Sequence, residues 1–367
     1  MYQEISQLLM YGDLEEDSIL YQMGEIFAKY ETGEYNKTGL VRDINVQVKR
    51  ILKVATDYGF DDNLWHNYLT FFLMMSENPF SMTCEKVGAS EGSVNALVQN
   101  DFRIFKALFD YDFGPIEKDL GISCFSQISD YKAIHKKDLM YNKNVSEKVR
   151  ALSKKLEAAK DEKEFFDGVT GFYKDFGVGM FGLNKAFRID EKPEGGIAFR
   201  AINNMDTVML DDLVGYEIQK KKLVDNTEAC VQGKKANNVL LFGDSGTGKS
   251  TSIKAIVNQY YKDGLRMIEI YKHQFKYLST IIADIKNRNY KFIIYMDDLS
   301  FEEFEIEYKF LKAVIEGGVE TKPENILIYA TSNRRHLIKE SWNDRNDVQV
   351  QNGMHQSDTM EEKLSLV

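Results

Sequence analysis

The stretch Gly243-Asp244-Ser245-Gly246-Thr247-Gly248-Lys249-Ser250 constrains this chain more than any other. It reads G-x-x-x-x-G-K-S, the pattern of a phosphate-binding loop. In front of it, Asn238-Val239-Leu240-Leu241-Phe242 is a short apolar run bounded by turn residues, which predicts a buried strand. Behind it, Ile253, Ile256, Val257 and Tyr260 recur at helical spacing between Thr251 and Tyr261. Strand, glycine-rich turn and helix is the context the pattern needs. Glycines let backbone N–H groups turn inward toward phosphate oxygens, and a helix N-terminus adds partial positive charge. Lys249 is suited to reach the β- and γ-phosphates of a nucleotide, and the Ser250 hydroxyl to ligate Mg²⁺. Gly243 through Ser250, with Thr251, are the candidate phosphate contacts. The plainer alternative, a glycine-rich turn capping an ordinary helix, is disfavoured by the flanking strand and helix.

The surrounding sequence continues the alternation. Arg266–Ile270, Tyr290–Met296 and Ile326–Ala330 read as strands. Ile218–Cys230, Phe275–Ile285 and Phe304–Ile315 read as helices, the last closed by Gly317 and Gly318. Strands alternating with helices predict an α/β fold, a parallel sheet with helices on both faces. Ligands of such sheets sit beyond the carboxyl ends of the strands. Asp297 and Asp298 stand there, after the apolar run Phe292–Met296. Asp297 is expected to hold Mg²⁺ opposite Ser250, and Asp298 to orient or deprotonate the attacking water. A second apolar strand ends in Thr331-Ser332-Asn333, where Asn333 can bond a γ-phosphate or the water, or simply form a turn. For Arg334 and Arg335, phosphate sensing, contact with a partner subunit and plain solvation stay open.

At 367 residues the chain has room for two domains. Residues 1 to about 185 read as mostly helical, with Val41, Ile44, Val48, Ile51 and Leu52 as one periodic stripe. Trp65–Met75 reads as a buried core helix, and Asn144-x-x-Glu147 as a capping box. His66 and His135 are lone histidines with core or surface roles. Glycines at 177–182 and 195–196 mark a connection, so the expected division is a helical domain over 1–185, a connecting segment over 186–206 and a nucleotide-binding core over 207–367. Within the connection, Ile197–Ile202 is expected to form a short strand leading in.

The net charge of −10 does not favour a nucleic-acid partner. Three dispersed cysteines (Cys84, Cys124, Cys230), an acidic N-terminus and no apolar run near membrane-spanning length predict a cytoplasmic protein with reduced thiols.

Several blocks give the C-terminal part a wider resemblance: LDDLVGYE, NNVLLFGDSGTGKS, GLRMIEI, FIIYMDDLSFEE, EGGVETKPENILIYATSNRRHL and EEKLSL. Residues 207–366 resemble an AAA+ ATPase module, and more narrowly an uncharacterised bacterial family of AAA+-type ATP-binding proteins. The resemblance implies Mg²⁺ and ATP or ADP as ligands, a possible homo-oligomer and a protein client. It sets Val214 and Gly215 where AAA+ proteins contact adenine, and Asn333 at the first sensor position. AAA+ proteins usually carry Glu where Asp298 stands, one methylene longer; the narrower family resembles this chain in having two Asp.

Relative to that family the chain stops early, at Val367. The resemblance then implies that a fifth strand, a helical lid and an arginine lie outside it, that Asn238–Phe242 is an edge strand, and that turnover is slow. The expected activity is hydrolysis of the β–γ bond. The alternative is an ATP-binding switch or scaffold with negligible turnover. A P-loop kinase is weakened by the absence of a lid-like, arginine-rich substrate segment.

Overall fold

A computed structural model describes residues 1–89, 92–133, 143–203, 205–301, 307–316 and 323–333. The chain divides into two compact units, Met1–Asn184 and Lys185–Val367.

The first unit is helical among its described residues: α1 (Tyr2–Ile5), α2 (Ile19–Thr32), α3 (Lys37–Tyr58), α4 (Leu64–Met75), α5 (Pro79–Val87), α6 (Ser93–Phe109), α7 (Gly114–Leu120), α8 (Cys124–Ser129), α9 (Lys143–Glu157), α10 (Glu162–Phe176) and α11 (Gly179–Leu183). Their starts are written locally. The side chains of Ser18, Asn36, Asn63, Asn78 and Asp161 each accept a first-turn N–H. Helix α4 is the expected core helix, with nine of its twelve residues buried. His66 has a core role, stacked on Phe109 and bonded through Nε2 to the Phe109 carbonyl at 2.8 Å. Helix α9 is described from Lys143, and the side chain of Asn144 lies outside the described residues. Asp101, fully buried, accepts N–H bonds from Leu9, Met10 and Tyr11 and so ties the N-terminal segment to α6.

The second unit is built on β1 (Ala186–Glu191), β2 (Ile197–Ala201), β3 (Val239–Phe242), β4 (Leu265–Glu269), β5 (Lys291–Met296) and β6 (Ile326–Ser332). These form one sheet in the order β2-β1-β4-β5-β6-β3. Every pairing is parallel except the β1–β2 hairpin. The helices are α12 (Glu217–Val231), α13 (Lys249–Tyr260), α14 (Leu278–Ile285) and α15 (Glu307–Glu316). Met267, Ile293, Tyr295, Leu327 and Tyr329 share one sheet face and pack with Leu223 and Cys230 of α12 and Ile253, Ile256 and Val257 of α13. Phe292, Ile294 and Ile328 alternate to the opposite face and are equally buried, so the central strands are covered on both sides. Each fully buried side chain of this kind stabilises the fold by about 1.5–3 kcal/mol.

Four features differ from the sequence expectation. Residues 186–206 carry both strands of the hairpin, and β1 extends the sheet by pairing with β4. Strand β6 runs on through Thr331 and Ser332, both buried. Strand β3 is only half buried: β6 is its one neighbour among the described residues, and Phe242 is 52% exposed. The expected helix from Phe275 begins instead as a 3₁₀ turn over Lys272–Tyr277 and becomes α-helical at Leu278. Gly317 and Gly318 lie outside the described residues, as do His135 and the EEKLSL block. No helix among the described residues is long and apolar enough to cross a membrane.

Polar contacts clamp α12 to the strands. The Tyr329 hydroxyl meets Thr227 Oγ1 at 2.7 Å and accepts from Asn226 Nδ2 at 3.1 Å, while Asn226 Oδ1 accepts the Asn237 N–H just before β3. Replacing Tyr329 by Phe removes one of the two partners of buried Thr227 Oγ1, which keeps the Leu223 carbonyl, and takes an acceptor from Asn226 Nδ2. It is expected to lower unfolding stability by about 1–2 kcal/mol, measured by chemical denaturation, with unchanged helical content by circular dichroism.

Candidate functional site

The loop after β3 turns at two glycines that hold left-handed backbone, Gly246 (φ 79°) and Gly248 (φ 80°). Any side chain at either position would strain the backbone. Gly248 is the residue before α13, and the first N–H groups of that helix have no partner within it. Thr247 Oγ1 closes the loop on the Asp244 carbonyl at 2.9 Å. Lys249 Nζ donates to the Gly243 carbonyl at 2.8 Å, the Asp244 carbonyl at 2.7 Å and Asn333 Oδ1 at 3.1 Å. Its ammonium is thus folded against the loop, within reach of the end of β6.

The parallel register brings the ends of β3, β5 and β6 side by side: Phe242 pairs with Ser332, and Met296 with Ala330. Ser250 Oγ donates to Asp297 Oδ1 at 2.7 Å, across 47 residues of sequence. Thr331 Oγ1 donates to the same oxygen at 2.6 Å and accepts the Asp298 N–H at 2.9 Å. Asn333 Nδ2 donates to Asp298 Oδ1 at 2.9 Å. Lys249, Asn333 and Asp298 therefore form one chain of bonds, and Ser250, Asp297 and Thr331 a second beside it.

Electrostatics follow from these contacts. Burial raises the Asp297 carboxyl, but the hydroxyls of Thr331, Tyr295 and Ser250 and the Asp298 N–H more than offset this and hold it below its ordinary value. Tyr295 is held well above the ordinary phenol value, by burial first and then by the direct approach of its hydroxyl to the Asp297 carboxylate, so it keeps its proton. Asp298 has φ 49°, a left-handed backbone rarely taken by a side-chain-bearing residue. Such conformations cost about 1–3 kcal/mol and gather at functional sites.

Hard oxygen donors suit Mg²⁺. Among the described residues no group of three or more His, Cys, Asp or Glu is arranged to hold a metal ion. Ser250 and Asp297 together fit a cation that brings phosphate oxygens and water with it, as Mg²⁺ does in nucleotide sites. Val214 is 97% exposed, Gly215 has φ 87° and Tyr216 φ 56°, so this segment presents open backbone and an unburied apolar side chain. Arg334 and Arg335 lie outside the described residues. Two residues of the cluster had no assigned role in the sequence: Thr331 and Tyr295. The available signal was strand alternation, which puts Tyr295 and Asp297 on one face of β5.

A phosphate-loop turn between a parallel strand and a helix, acids at the end of β5 and a polar end to β6 define an α/β fold of the P-loop type, in a chain whose first unit is helical. The chain belongs to the family described as Protein of unknown function (DUF815), whose model matches residues 183–367. No curated protein matches it. Solved structures similar to it include PCH-2 of C. elegans, at 18% identity and TM-score 0.28 over 38% of this chain and 43% of that one. Two RuvB structures of Thermotoga maritima are also similar. One is a variant, at 20% identity and TM-score 0.27, and the other is described as a Holliday junction branch migration motor, at 16% identity and TM-score 0.26. Each of these two RuvB matches covers 36% of this chain and 43% of the other, so the chain spans less than half the length of these three structures.

Thr331→Val keeps the side-chain shape and removes the hydroxyl, leaving the Asp298 N–H without its acceptor. The expected cost is about 1–3 kcal/mol of unfolding stability, measured by denaturant titration. A variant as stable as the parent would show that Thr331 is not what holds the Asp297–Asp298 turn.

Proposed function

We propose that the unit from Lys185 onward binds Mg-ATP and hydrolyses the β–γ bond by in-line attack of water. The observation that carries this reading is the convergence of Lys249, Ser250, Asp297, Asp298 and Asn333, through direct hydrogen bonds, at one end of the parallel sheet. Lys249 exchanges its contacts with the Gly243 and Asp244 carbonyls for β- and γ-phosphate oxygens. The loop N–H groups, from Gly243 through Thr251, cradle the phosphates. Val214 and Gly215 take the adenine. Bound Mg²⁺, held by Ser250 and Asp297, neutralises charge that develops on the phosphates. Asp298 orients the water and accepts its proton, and Asn333 aligns the water or the γ-phosphate against Asp298. Positioning and charge neutralisation supply most of the rate in such chemistry. The helical unit then serves a protein client, the working form is a homo-oligomer, and the free thiols of Cys84, Cys124 and Cys230 suit the cytoplasm.

The second reading is an ATP-dependent switch, and one observation favours it: Asp298 is engaged by Asn333 and carries one methylene fewer than the usual Glu. Steady-state phosphate release separates the two. Turnover with ATP supports hydrolysis; tight binding without release of phosphate supports the switch.

Lys249→Ala removes charge-assisted bonds worth about 1.5–3 kcal/mol, so ATP affinity is expected to fall about tenfold to a hundredfold by equilibrium titration. Unchanged affinity in a folded variant would remove the nucleotide assignment. The two acids are expected to separate. Asp297→Ala weakens Mg²⁺-dependent binding, whereas Asp298→Asn retains ATP and loses hydrolysis. Identical behaviour of the pair in both assays would show that the division of roles is wrong.

A further inference from the structure

Tyr295 sits at the bottom of the candidate site. It is fully buried on β5, two residues before Asp297 and on the same face of the sheet. Its hydroxyl faces Asp297, Ser250 and Thr331 closely enough to act on the Asp297 carboxylate, yet meets none of them in hydrogen-bonding geometry. Among the described residues no other buried tyrosine hydroxyl is left in this state. The Tyr329 hydroxyl, paired across the strands from Tyr295, is satisfied by Thr227 and Asn226. Tyr173 is satisfied by Tyr11 and the Leu73 carbonyl, and Tyr68 by the Leu20 N–H.

A buried hydroxyl without a partner is destabilising, and phenylalanine would fill the same space without that cost. The reason for the hydroxyl lies in the donor count at Asp297. Its Oδ1 already takes the protons of Ser250 and Thr331, which fills both lone pairs. Tyr295 makes no hydrogen bond in this arrangement, and Asp297 Oδ2 keeps the acceptor capacity that its proton can use once the carboxylate turns. Ser250 is also the loop's own cation ligand in the reading above. When its oxygen and the carboxylate turn to a cation and its water, the bond between them must be rebuilt, and Tyr295 is the unused donor at hand.

We propose that Tyr295 is a positioning residue for the cation-binding carboxylate, its hydroxyl engaging Asp297 when Mg²⁺ and nucleotide arrive. The inference rests on the Mg-ATP reading of the site. The hydroxyl is a donor held in reserve: without a hydrogen bond in the present arrangement, bonded to Asp297 once the cation and nucleotide are held. It therefore adds a differential interaction that favours the loaded state.

The test is Tyr295→Phe in the full chain, read by Mg²⁺ titration of the binding of a fluorescent, non-hydrolysable ATP analogue. A hydroxyl bonded to a carboxylate predicts that the half-saturating Mg²⁺ concentration rises about tenfold. Analogue affinity in excess EDTA is expected to stay the same. The thermal midpoint of the empty protein is expected to stay the same or rise, because an unpaired buried hydroxyl has been removed. Tyr329→Phe is the comparison: equally buried and on the same sheet face, but already paired, it is expected to lower the midpoint and leave the Mg²⁺ dependence alone. Unchanged Mg²⁺ dependence in Tyr295→Phe overturns the inference. So does an equal loss of affinity with and without Mg²⁺ together with a lower midpoint, which marks a structural role. If the parent protein binds no analogue in Mg²⁺, the Mg-ATP reading fails and carries this inference with it. If the parent binds and Tyr295→Phe matches it, only the role of Tyr295 falls.

Discussion

The hydroxyl of Thr331 couples the two acids of the site to the neighbouring strand. It donates to the Asp297 carboxylate and accepts the Asp298 N–H, and the Leu299 N–H then bonds the Thr331 carbonyl at 2.6 Å. Three consecutive residues after β5 are therefore fixed by one residue of β6. This is possible because β5 and β6 run parallel and in register, with Met296 beside Ala330. In a parallel pair both strands deliver their carboxyl ends to the same edge of the sheet. The strain at Asp298, with its left-handed backbone, persists because that network over-determines it.

The sheet makes the edge rigid enough for this. Ile293, Ile294, Tyr295 and Tyr329 are fully buried, and the polar tip of Tyr329 is anchored to α12. The same helix holds the chain at Asn237, just before β3, through Asn226. The phosphate loop thus leaves a strand whose start is pinned to α12 and whose length is paired with β6. Gly243 N–H reaches the Ser332 carbonyl at 3.3 Å, so the ladder continues to the first residue of the loop.

Much of this was legible in the sequence because its signals are local. The loop pattern, the apolar runs Val239–Phe242 and Phe292–Met296, and the side-chain caps of α2 to α5 are each written within a few residues. What was missed depends on partners distant in sequence. Ala186-Phe187-Arg188-Ile189 looks like part of a connection until β4 supplies a partner, with Ala186 beside Met267. Thr331 looks like the end of a strand until Asp297 and Asp298 arrive from β5. Tyr295 looks like core, and by burial it is core; its hydroxyl acquires meaning only from the acceptor count at Asp297.

The polar groups of the site are already bonded to one another, and that shapes what a ligand can gain. Lys249 has two loop carbonyls and Asn333 for partners, Ser250 has Asp297, and Asn333 has Asp298. A nucleotide entering here replaces existing bonds instead of meeting free charges, so net affinity is the difference between two bonded states. That difference is largest where the existing partner is weakest. For Lys249 a neutral carbonyl gives way to an anionic phosphate oxygen, a charge-assisted bond roughly twice as strong. Asn333 meets the lysine through its amide oxygen and Asp298 through its amide nitrogen, so the amide can give up the first contact and keep the second.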